Sequence, residues 1–185
     1  MTGVEGTTRK ELVTKFVYLA IAVVISLLAT YPWPRPSDPL TLPEERRQLD
    51  ELALQELDGG TWRLSEHRGQ VVLLNYWATW CGPCRAETPG LVKIAKDTKG
   101  VAVVGVSVDH GDVALVREFV KEMKVGYPIA IPERVSQFEQ GLAGVPTTIL
   151  IDAKGRVAKV YVGETREKEF RKDVAKLQAE SGGAS

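Results

Sequence analysis

The chain has 185 residues, and its 24 Lys and Arg residues balance its 24 Asp and Glu residues. This length suits one globular domain of about 100–200 residues with an additional segment. The balanced, scattered charge argues against a nucleic-acid-binding protein, for which a basic patch or stripe is expected, and two cysteines are too few for a disulfide-rich scaffold.

The N-terminal segment combines basic residues with a long apolar run. Residues 16–34 contain no charged side chain, and Arg9, Lys10 and Lys15 precede them. A membrane-spanning helix needs ~20 apolar residues, so we predict a transmembrane anchor over residues 16–34 after a cytoplasmic N-terminus over residues 1–15. By the positive-inside rule the rest of the chain then faces outward. The expected location is the cytoplasmic membrane, crossed once, with the folded domain on the periplasmic or extracytoplasmic side.

Two other interpretations of this segment remain open, a cleaved signal peptide and a buried core helix. A signal peptide needs small residues in an A-x-A-like arrangement at the end of the apolar run, and Ser26 to Tyr31 match that arrangement poorly. A cleaved signal would also place the domain outside the cytoplasm, where disulfides persist.

Proline is the dominant feature of the next segment. Five prolines lie between residues 31 and 43, and such a stretch favours a semi-rigid, extended spacer of ~3.1 Å per residue. We therefore predict a linker over residues 35–50, whose charged part at 44–50 is solvated. A disordered linker is the alternative, and either kind of linker would hold the folded domain off the membrane. The folded domain is predicted over residues 51–180, and a flexible tail over 181–185.

Hydrophobic patterning within the domain predicts strands that alternate with helices. The first half has a hairpin over Leu52–Leu64, a buried strand over Val71–Tyr76, a helix that ends at Lys99-Gly100 and a buried strand over Val101–Val108. Next come a helix through Leu115–Met123 with Asp112 as its N-cap, a short strand over Tyr127–Ile131 and a short helix over Glu133–Gln140. The domain closes with a hairpin of Thr147–Ile151 with Arg156–Val162 and an amphipathic helix through Phe170, Val174 and Leu177. This alternation predicts an α/β fold with a mainly parallel central sheet, helices on both faces and an antiparallel closing hairpin that makes the sheet mixed.

Both cysteines lie in Trp80-Cys81-Gly82-Pro83-Cys84, between the first buried strand and the helix that follows. The nucleophile in disulfide exchange is the thiolate, and a helix N-terminus carries roughly half a positive charge that favours an anion there. Cys84 falls one helical turn after Cys81, so it can attack a mixed disulfide formed by Cys81 and release the partner. Pro83 suits an early helix position because its missing N–H would have had no helical partner.

Two structural interpretations of the cysteine pair compete with reversible thiol chemistry. A structural disulfide that closes so short a loop adds little stability. A zinc site would have to combine the cysteines with His67 and His110, which are not the close histidine pair of a typical zinc motif. Each histidine is expected in a solvated loop, and neither a metal nor another cofactor is expected.

Two segments carry a resemblance to the thioredoxin superfamily. They are Val71-Val-Leu-Leu-Asn-Tyr-Trp-Ala-Thr-Trp-Cys-Gly-Pro-Cys84 and Gly144-Val-Pro-Thr-Thr-Ile-Leu-Ile-Asp152. More narrowly, the chain from about Leu52 to Leu177 is similar to the membrane-anchored TlpA/ResA-like (DsbE/CcmG-type) thiol–disulfide oxidoreductases. The resemblance implies a thioredoxin-like fold in which residues 112–131 form the helix–strand insertion of this subgroup.

The same resemblance assigns roles in a candidate active site. It makes Cys81 the exposed nucleophile, Cys84 the buried resolving thiol and Pro146 a cis-proline that faces the disulfide. The backbone of Val145 would pair with a bound substrate segment. The remaining substrate-contacting positions that it implies are Trp80, Gly82 and Pro83.

One position departs from thioredoxin itself. Thioredoxin has a buried aspartate six residues before the first cysteine, whereas this chain has Asn75, which cannot accept a proton as a base. In the TlpA/ResA-like subgroup a glutamate three residues after the second cysteine is proposed to replace it, and Glu87 occupies that position. Burial would raise the pKa of Glu87 and suit it to assist deprotonation of Cys84. A solvated helix carboxylate is the alternative.

The leading hypothesis is a membrane-tethered reductase of disulfides in specific client proteins, such as apocytochrome c during cytochrome c maturation. The Gly-Pro dipeptide between the cysteines is that of thioredoxin, whose reduction potential is ~−270 mV. In an oxidising compartment such a dithiol needs a transmembrane electron donor, which the resemblance implies is of the CcdA/DsbD type. Three alternatives remain: an oxidase or isomerase that uses the same residues, a peroxidase of the peroxiredoxin type, and a non-catalytic membrane-tethered binding module.

Overall fold

The structure is a computed structural model that describes residues 9–30, 39–109, 113–131 and 143–182. Its helices are α1 (Arg9–Thr30), α2 (Gly82–Asp97), α3 (Val113–Glu122) and α4 (Glu167–Gly182), with a 3₁₀ turn at Leu64–His67. Its strands are β1 (Ala53–Gln55), β2 (Thr61–Arg63), β3 (Val71–Trp77), β4 (Val101–Ser107), β5 (Ile129–Ala130), β6 (Thr147–Ile151) and β7 (Val157–Val162). The chain divides into two units, Met1–Arg35 and Pro36–Ser185.

The first unit contains α1, which differs from the predicted anchor over residues 16–34. The helix begins at Arg9, so its first turns include the basic residues Arg9 and Lys10, and residues 31–34 lie outside the described residues. Apolar side chains such as Phe16 are exposed. Among the residues that the structure describes, no helix combines the length and the apolar character needed to cross a membrane.

The second unit is built on a five-stranded sheet in the order β5-β4-β3-β6-β7. β3 pairs in parallel with β4, and β4 pairs in parallel with β5, whereas β6 is antiparallel to both β3 and β7. The predicted mixed sheet is confirmed, but it is not mainly parallel. The closing hairpin places β6 beside the central strand β3, and this second antiparallel pairing balances the two parallel pairings.

Every residue of β3 is buried because packed layers cover both faces of the sheet. On one face Leu73 belongs to the same core cluster as Leu91 of α2 and Phe170 of α4. On the other face Leu74 belongs to a cluster with Trp62 of the β1–β2 hairpin. Burial of an apolar side chain of this size contributes ~1.5–3 kcal/mol. The continuous apolar run that predicted a central strand therefore reflects burial on both faces.

Residues before the predicted domain start at residue 51 contact the folded unit. The N–H of Thr41 donates to the carbonyl of Ala158, and Arg46 is 6% exposed. The Arg46 guanidinium lies 3.3 Å from Asp152 and 2.6 Å from Glu180. The prediction of a solvated segment over residues 44–50 holds for Glu44, Glu45, Arg47, Gln48 and Asp50, which are exposed. It fails at Arg46, because two carboxylates far along the chain pair with its charge inside the fold.

The other predicted elements are found with small shifts at their ends. The closing hairpin and the last helix are confirmed as β6, β7 and α4, and α4 extends to Gly182, into the predicted tail. The short strand predicted over Tyr127–Ile131 is reduced to β5. The predicted N-cap Asp112 and the predicted helix over Glu133–Gln140 lie outside the described residues.

Candidate active site

The cysteine pair lies where β3 passes into α2. The N–H of Cys81 donates to the carbonyl of Ala78 at 3.2 Å and closes a turn after the strand. Cys81 is the N-cap of α2, and Pro83 stands in the first turn of the helix. The Sγ atom of Cys81 accepts a 3.2 Å hydrogen bond from the N–H of Cys84. A helix N-terminus and a directed N–H donor therefore both act on the Cys81 sulfur, and both favour its anionic form.

Cys81 and Cys84 form a disulfide with an S–S distance of 2.11 Å and a Cα–Cα distance of 5.3 Å. In this oxidised form Cys81 is only 5% exposed and Cys84 is 2% exposed. The expectation of an exposed Cys81 is therefore not met in the disulfide state, because the bond turns its Sγ atom toward Cys84 and the start of α2.

The second predicted segment lies at the same end of the sheet as the cysteines, because Thr147 pairs with Tyr76 near the end of β3. The Val145–Pro146 peptide bond is cis, as the resemblance implies, and Pro146 is buried. Val145 is half-buried and packs against both core clusters, one of which contains the cysteines. The N–H of Gly163 donates to the Pro146 carbonyl at 2.8 Å, and the Thr147 hydroxyl donates to the Gly144 carbonyl at 2.7 Å. These bonds hold the segment in place at the start of β6.

The surface around the disulfide is apolar and accessible. Trp80 is 72% exposed, and Gly82 and Pro83 are also exposed. A large exposed aromatic side chain next to a reactive sulfur is suited to contact a partner protein. The structure thus brings every predicted substrate-contacting position to the end of the sheet where the cysteines lie, while the roles of these positions stay predictions.

Glu87 is buried, 4% exposed, one helical turn after Cys84 on the inner face of α2. Its Oε1 atom accepts hydrogen bonds from the Asn75 amide at 2.9 Å and from the Thr148 hydroxyl at 3.3 Å. Its Oε2 atom accepts one from the backbone N–H of Thr165 at 2.7 Å. The solvated helix carboxylate, which was the alternative, is therefore excluded.

Burial raises the pKa of Glu87 from its ordinary value of 4.5 to about 7. The hydrogen bonds from Thr165, Thr148 and Asn75 act in the opposite direction, because each donor stabilises the carboxylate. Desolvation outweighs them. A carboxyl group with a pKa near neutrality can both take up and release a proton at physiological pH, as a general base or acid requires.

Sequence reasoning missed three of the groups that hold Glu87. The sequence predicted only that Asn75 cannot act as a base. In the structure its side-chain amide donates hydrogen bonds to Glu87 and, at 2.8 Å, to the Thr148 hydroxyl. Thr148 lies within the second resembling segment and offered a residue-type signal. Thr165 contributes a backbone N–H, which any residue except proline would provide, so its side chain offered no signal.

The zinc alternative gains no support from the described part of the chain. His67 stacks on Trp62 with 4.8 Å between ring centroids and contacts Gln70. His67 is therefore half-buried against Trp62 and does not lie free in a solvated loop. His110 lies outside the described residues. Within the described residues no group of three or more His, Cys, Asp or Glu residues is arranged to hold a metal ion.

Comparisons with known proteins point to one family. A family model described as Redoxin matches residues 41–179. The chain is 33% identical over 130 residues to the thioredoxin-like protein YneN of Bacillus subtilis, an alignment that covers 69% of this chain and 76% of YneN. It is 29% identical over 134 residues to the thiol-disulfide oxidoreductase ResA of Bacillus thuringiensis, with 71% and 77% covered. A solved secreted thiol-disulfide isomerase from Corynebacterium glutamicum superposes with a TM-score of 0.68 at 28% identity, covering 81% of this chain and 98% of that chain.

Proposed function

We propose that this chain, which belongs to the Redoxin family, is a thiol–disulfide oxidoreductase that reduces disulfides in client proteins. One observation carries the proposal: the Cys81–Cys84 disulfide caps α2 one helical turn from the buried carboxyl group of Glu87. Several relatives bear the name thiol-disulfide oxidoreductase. A structural disulfide would need neither a helix N-terminus nor a neighbouring carboxyl group with a pKa of about 7.

The reaction starts from the reduced pair. The Cys81 thiolate attacks one sulfur of the client disulfide, a mixed disulfide forms, and the other client sulfur leaves as a thiolate that takes up a proton. The N–H of Cys84, 3.2 Å from Sγ of Cys81 in the oxidised form, is oriented to stabilise the attacking thiolate. The dipole of α2 acts in the same direction.

Cys84 then resolves the mixed disulfide. Glu87 takes the proton from the Cys84 thiol, and the Cys84 thiolate attacks Sγ of Cys81. The second client sulfur leaves as a thiolate and takes up the proton from Glu87, which returns to its carboxylate form. Two electrons and two protons have then moved to the client, and Cys81 and Cys84 are joined in the disulfide seen in the structure.

The direction of electron flow and the location belong to the same proposal. The Gly82-Pro83 dipeptide between the cysteines supports a reducing pair, since thioredoxin has a potential of ~−270 mV. The apolar segment after Arg9, Lys10 and Lys15 supports a domain outside the cytoplasm, delivered by an anchor or a cleaved signal. There the dithiol requires a membrane electron donor of the CcdA/DsbD type, and an apocytochrome c is a suitable client.

An oxidase or isomerase is the second candidate, because a solved neighbour is described as a thiol-disulfide isomerase. The midpoint potential distinguishes the two. Equilibration of the protein with dithiothreitol or glutathione mixtures should give a value near that of thioredoxin, ~−270 mV. A value near ~−120 mV, as in the oxidase DsbA, would contradict the reductase. The Cys81→Ser variant is the control and should show no two-electron transition.

A further inference from the structure

Asp109 follows β4 and holds the loop that leads into the cysteine pair. Its Oδ1 atom accepts a hydrogen bond from the Thr79 hydroxyl at 2.7 Å, and its Oδ2 atom accepts one from the Thr79 N–H at 2.9 Å. Both donors of Thr79 thus converge on one carboxylate 30 residues away in sequence. Hydrogen bonds to an ionised acceptor are stronger than those between neutral groups.

Ser107 fixes Asp109 from the side of the core. The Ser107 hydroxyl donates to Oδ2 at 2.8 Å and accepts from the Asp109 N–H at 3.1 Å. Ser107 is fully buried and stands opposite Trp77 in the β3–β4 register. The carboxylate is therefore attached to the rigid sheet, and Thr79 is attached to the carboxylate.

The loop needs such an attachment because it ends in the exposed part of the site. Trp80 is 72% exposed, so burial does little to hold its side chain. Its backbone lies between Thr79, bound to Asp109, and Cys81, whose N–H closes the turn with Ala78. The position of Trp80 relative to the Cys81 sulfur therefore depends on where Thr79 is held.

We propose that Asp109 is a positioning residue that holds Trp80 and Cys81, through Thr79, in the arrangement to which a client protein docks. This inference rests on the proposed function. Asp109 takes no part in electron or proton transfer; it removes the mobility that a client would otherwise have to restrict on binding. A small disulfide reagent reaches the Cys81 sulfur without contact to Trp80. Its reaction therefore does not depend on the hydrogen bonds between Thr79 and Asp109.

The test compares two substrates across matched variants of the full chain. Thr79→Val removes the hydroxyl donor without a change of charge, whereas Thr79→Ser keeps a hydroxyl at this position. Asp109→Asn removes the charge of the acceptor. Asp58→Asn, in the exposed ion pair with Arg117, is the control for charge removal. The rate constants of the reduced proteins are measured with insulin and with 5,5′-dithiobis(2-nitrobenzoate), together with the midpoint potential and the melting temperature.

With insulin we expect Thr79→Val and Asp109→Asn to react about tenfold more slowly, since misplacement of a group that positions the substrate can cost up to ~100-fold. Their rates with the small disulfide and their midpoint potentials should be unchanged, and Thr79→Ser and Asp58→Asn should match the original protein. Equal losses with both substrates, or no loss with either, would overturn the inference. If the unsubstituted protein reduces neither disulfide, the proposed function fails and the inference fails with it. If Asp109→Asn does not fold, the comparison of Thr79→Val with Thr79→Ser decides.

Discussion

The side-chain amide of Asn75 on β3 donates a 2.9 Å hydrogen bond to Oε1 of Glu87 on α2, and both groups are buried. At the sheet position where thioredoxin has an acid, this chain therefore has a donor that orients an acid on the neighbouring helix. Oε1 also accepts a hydrogen bond from Thr148, and Oε2 accepts one from the N–H of Thr165, so both oxygens of the carboxyl group are held by other segments of the chain.

The resolving step should depend on Glu87. Glu87→Gln preserves the size of the side chain but cannot accept the Cys84 proton, so release of the client should slow by about 100-fold, within the range for a lost general base. Attack by Cys81 on the client should be unaffected. Rapid acid quench and gel separation would show the mixed disulfide accumulating in this variant. Equal slowing of both steps would mean that Glu87 does not act on Cys84 in particular.

The pH dependence of the resolving step should report the raised pKa of Glu87. The carboxylate is the basic form, so the rate should rise as the pH increases through about 7, the pKa of Glu87, and this inflection should be absent in Glu87→Gln. The measurement is the single-turnover rate of client release between pH 5 and pH 9, a range chosen to bracket the ionisation of a carboxyl near neutrality. The same inflection in Glu87→Gln would assign it to another group.

Thr148→Val should raise the pKa of Glu87 further. The substitution removes a hydroxyl donor that stabilises the carboxylate, so the inflection in client release should move to higher pH. Thr147→Val is the matched control, because the hydroxyl of Thr147 donates to the Gly144 carbonyl instead. A shift of the same size in both variants would indicate a general disturbance of β6.

Stability should fall with rising pH because of Glu87. A carboxyl whose pKa is raised on folding contributes stability that is complete below its unfolded pKa of 4.5 and is lost as the pH approaches about 7. The limiting slope is about 1.4 kcal/mol per pH unit for one such group. Urea unfolding of the oxidised protein should show this decline, and Glu87→Gln should flatten it relative to a variant of the exposed Glu66, Glu66→Gln. An unchanged slope in Glu87→Gln would contradict the prediction.

Cys84→Ser should trap clients through Cys81. The substituted protein can form the mixed disulfide but cannot resolve it, so client proteins should remain covalently attached and be released by dithiothreitol. Diagonal gel electrophoresis of cell extracts measures this, with Cys81→Ser as the control that should trap nothing. Attachment of equal amount in both variants would show that Cys81 is not the attacking sulfur.

Arg46 should contribute strongly to the stability of the folded unit. Arg46→Ala leaves the buried Asp152 with one cationic partner fewer and removes the contact with Glu180. Hydrogen bonds to charged groups contribute ~1.5–3 kcal/mol, so Arg46→Ala should cost about that much, and urea unfolding would measure it. The exposed neighbour Arg47 is the control, and Arg47→Ala should cost less than about 0.5 kcal/mol. Equal small losses of stability in both variants would mean that the contacts of Arg46 with Asp152 and Glu180 contribute little to the fold.

Local pattern was enough to predict the framework of the site. The apolar run of β3 and the helical pattern of α2 are properties of neighbouring residues, and both elements are found. The burial of Arg46 was missed because the charges around it suggested solvent. Its partners, Asp152 and Glu180, lie more than 100 residues away.

The sequence by itself determined that two cysteines would stand one turn apart at the start of a helix, because spacing and helix geometry are local. It also marked Glu87 as a candidate acid, through its position after Cys84. Only the tertiary structure decided that this acid is buried and that Asn75, Thr148 and Thr165 converge on it from three other segments. Burial and hydrogen-bond direction depend on how distant elements pack, and a backbone N–H such as that of Thr165 leaves no trace in residue type.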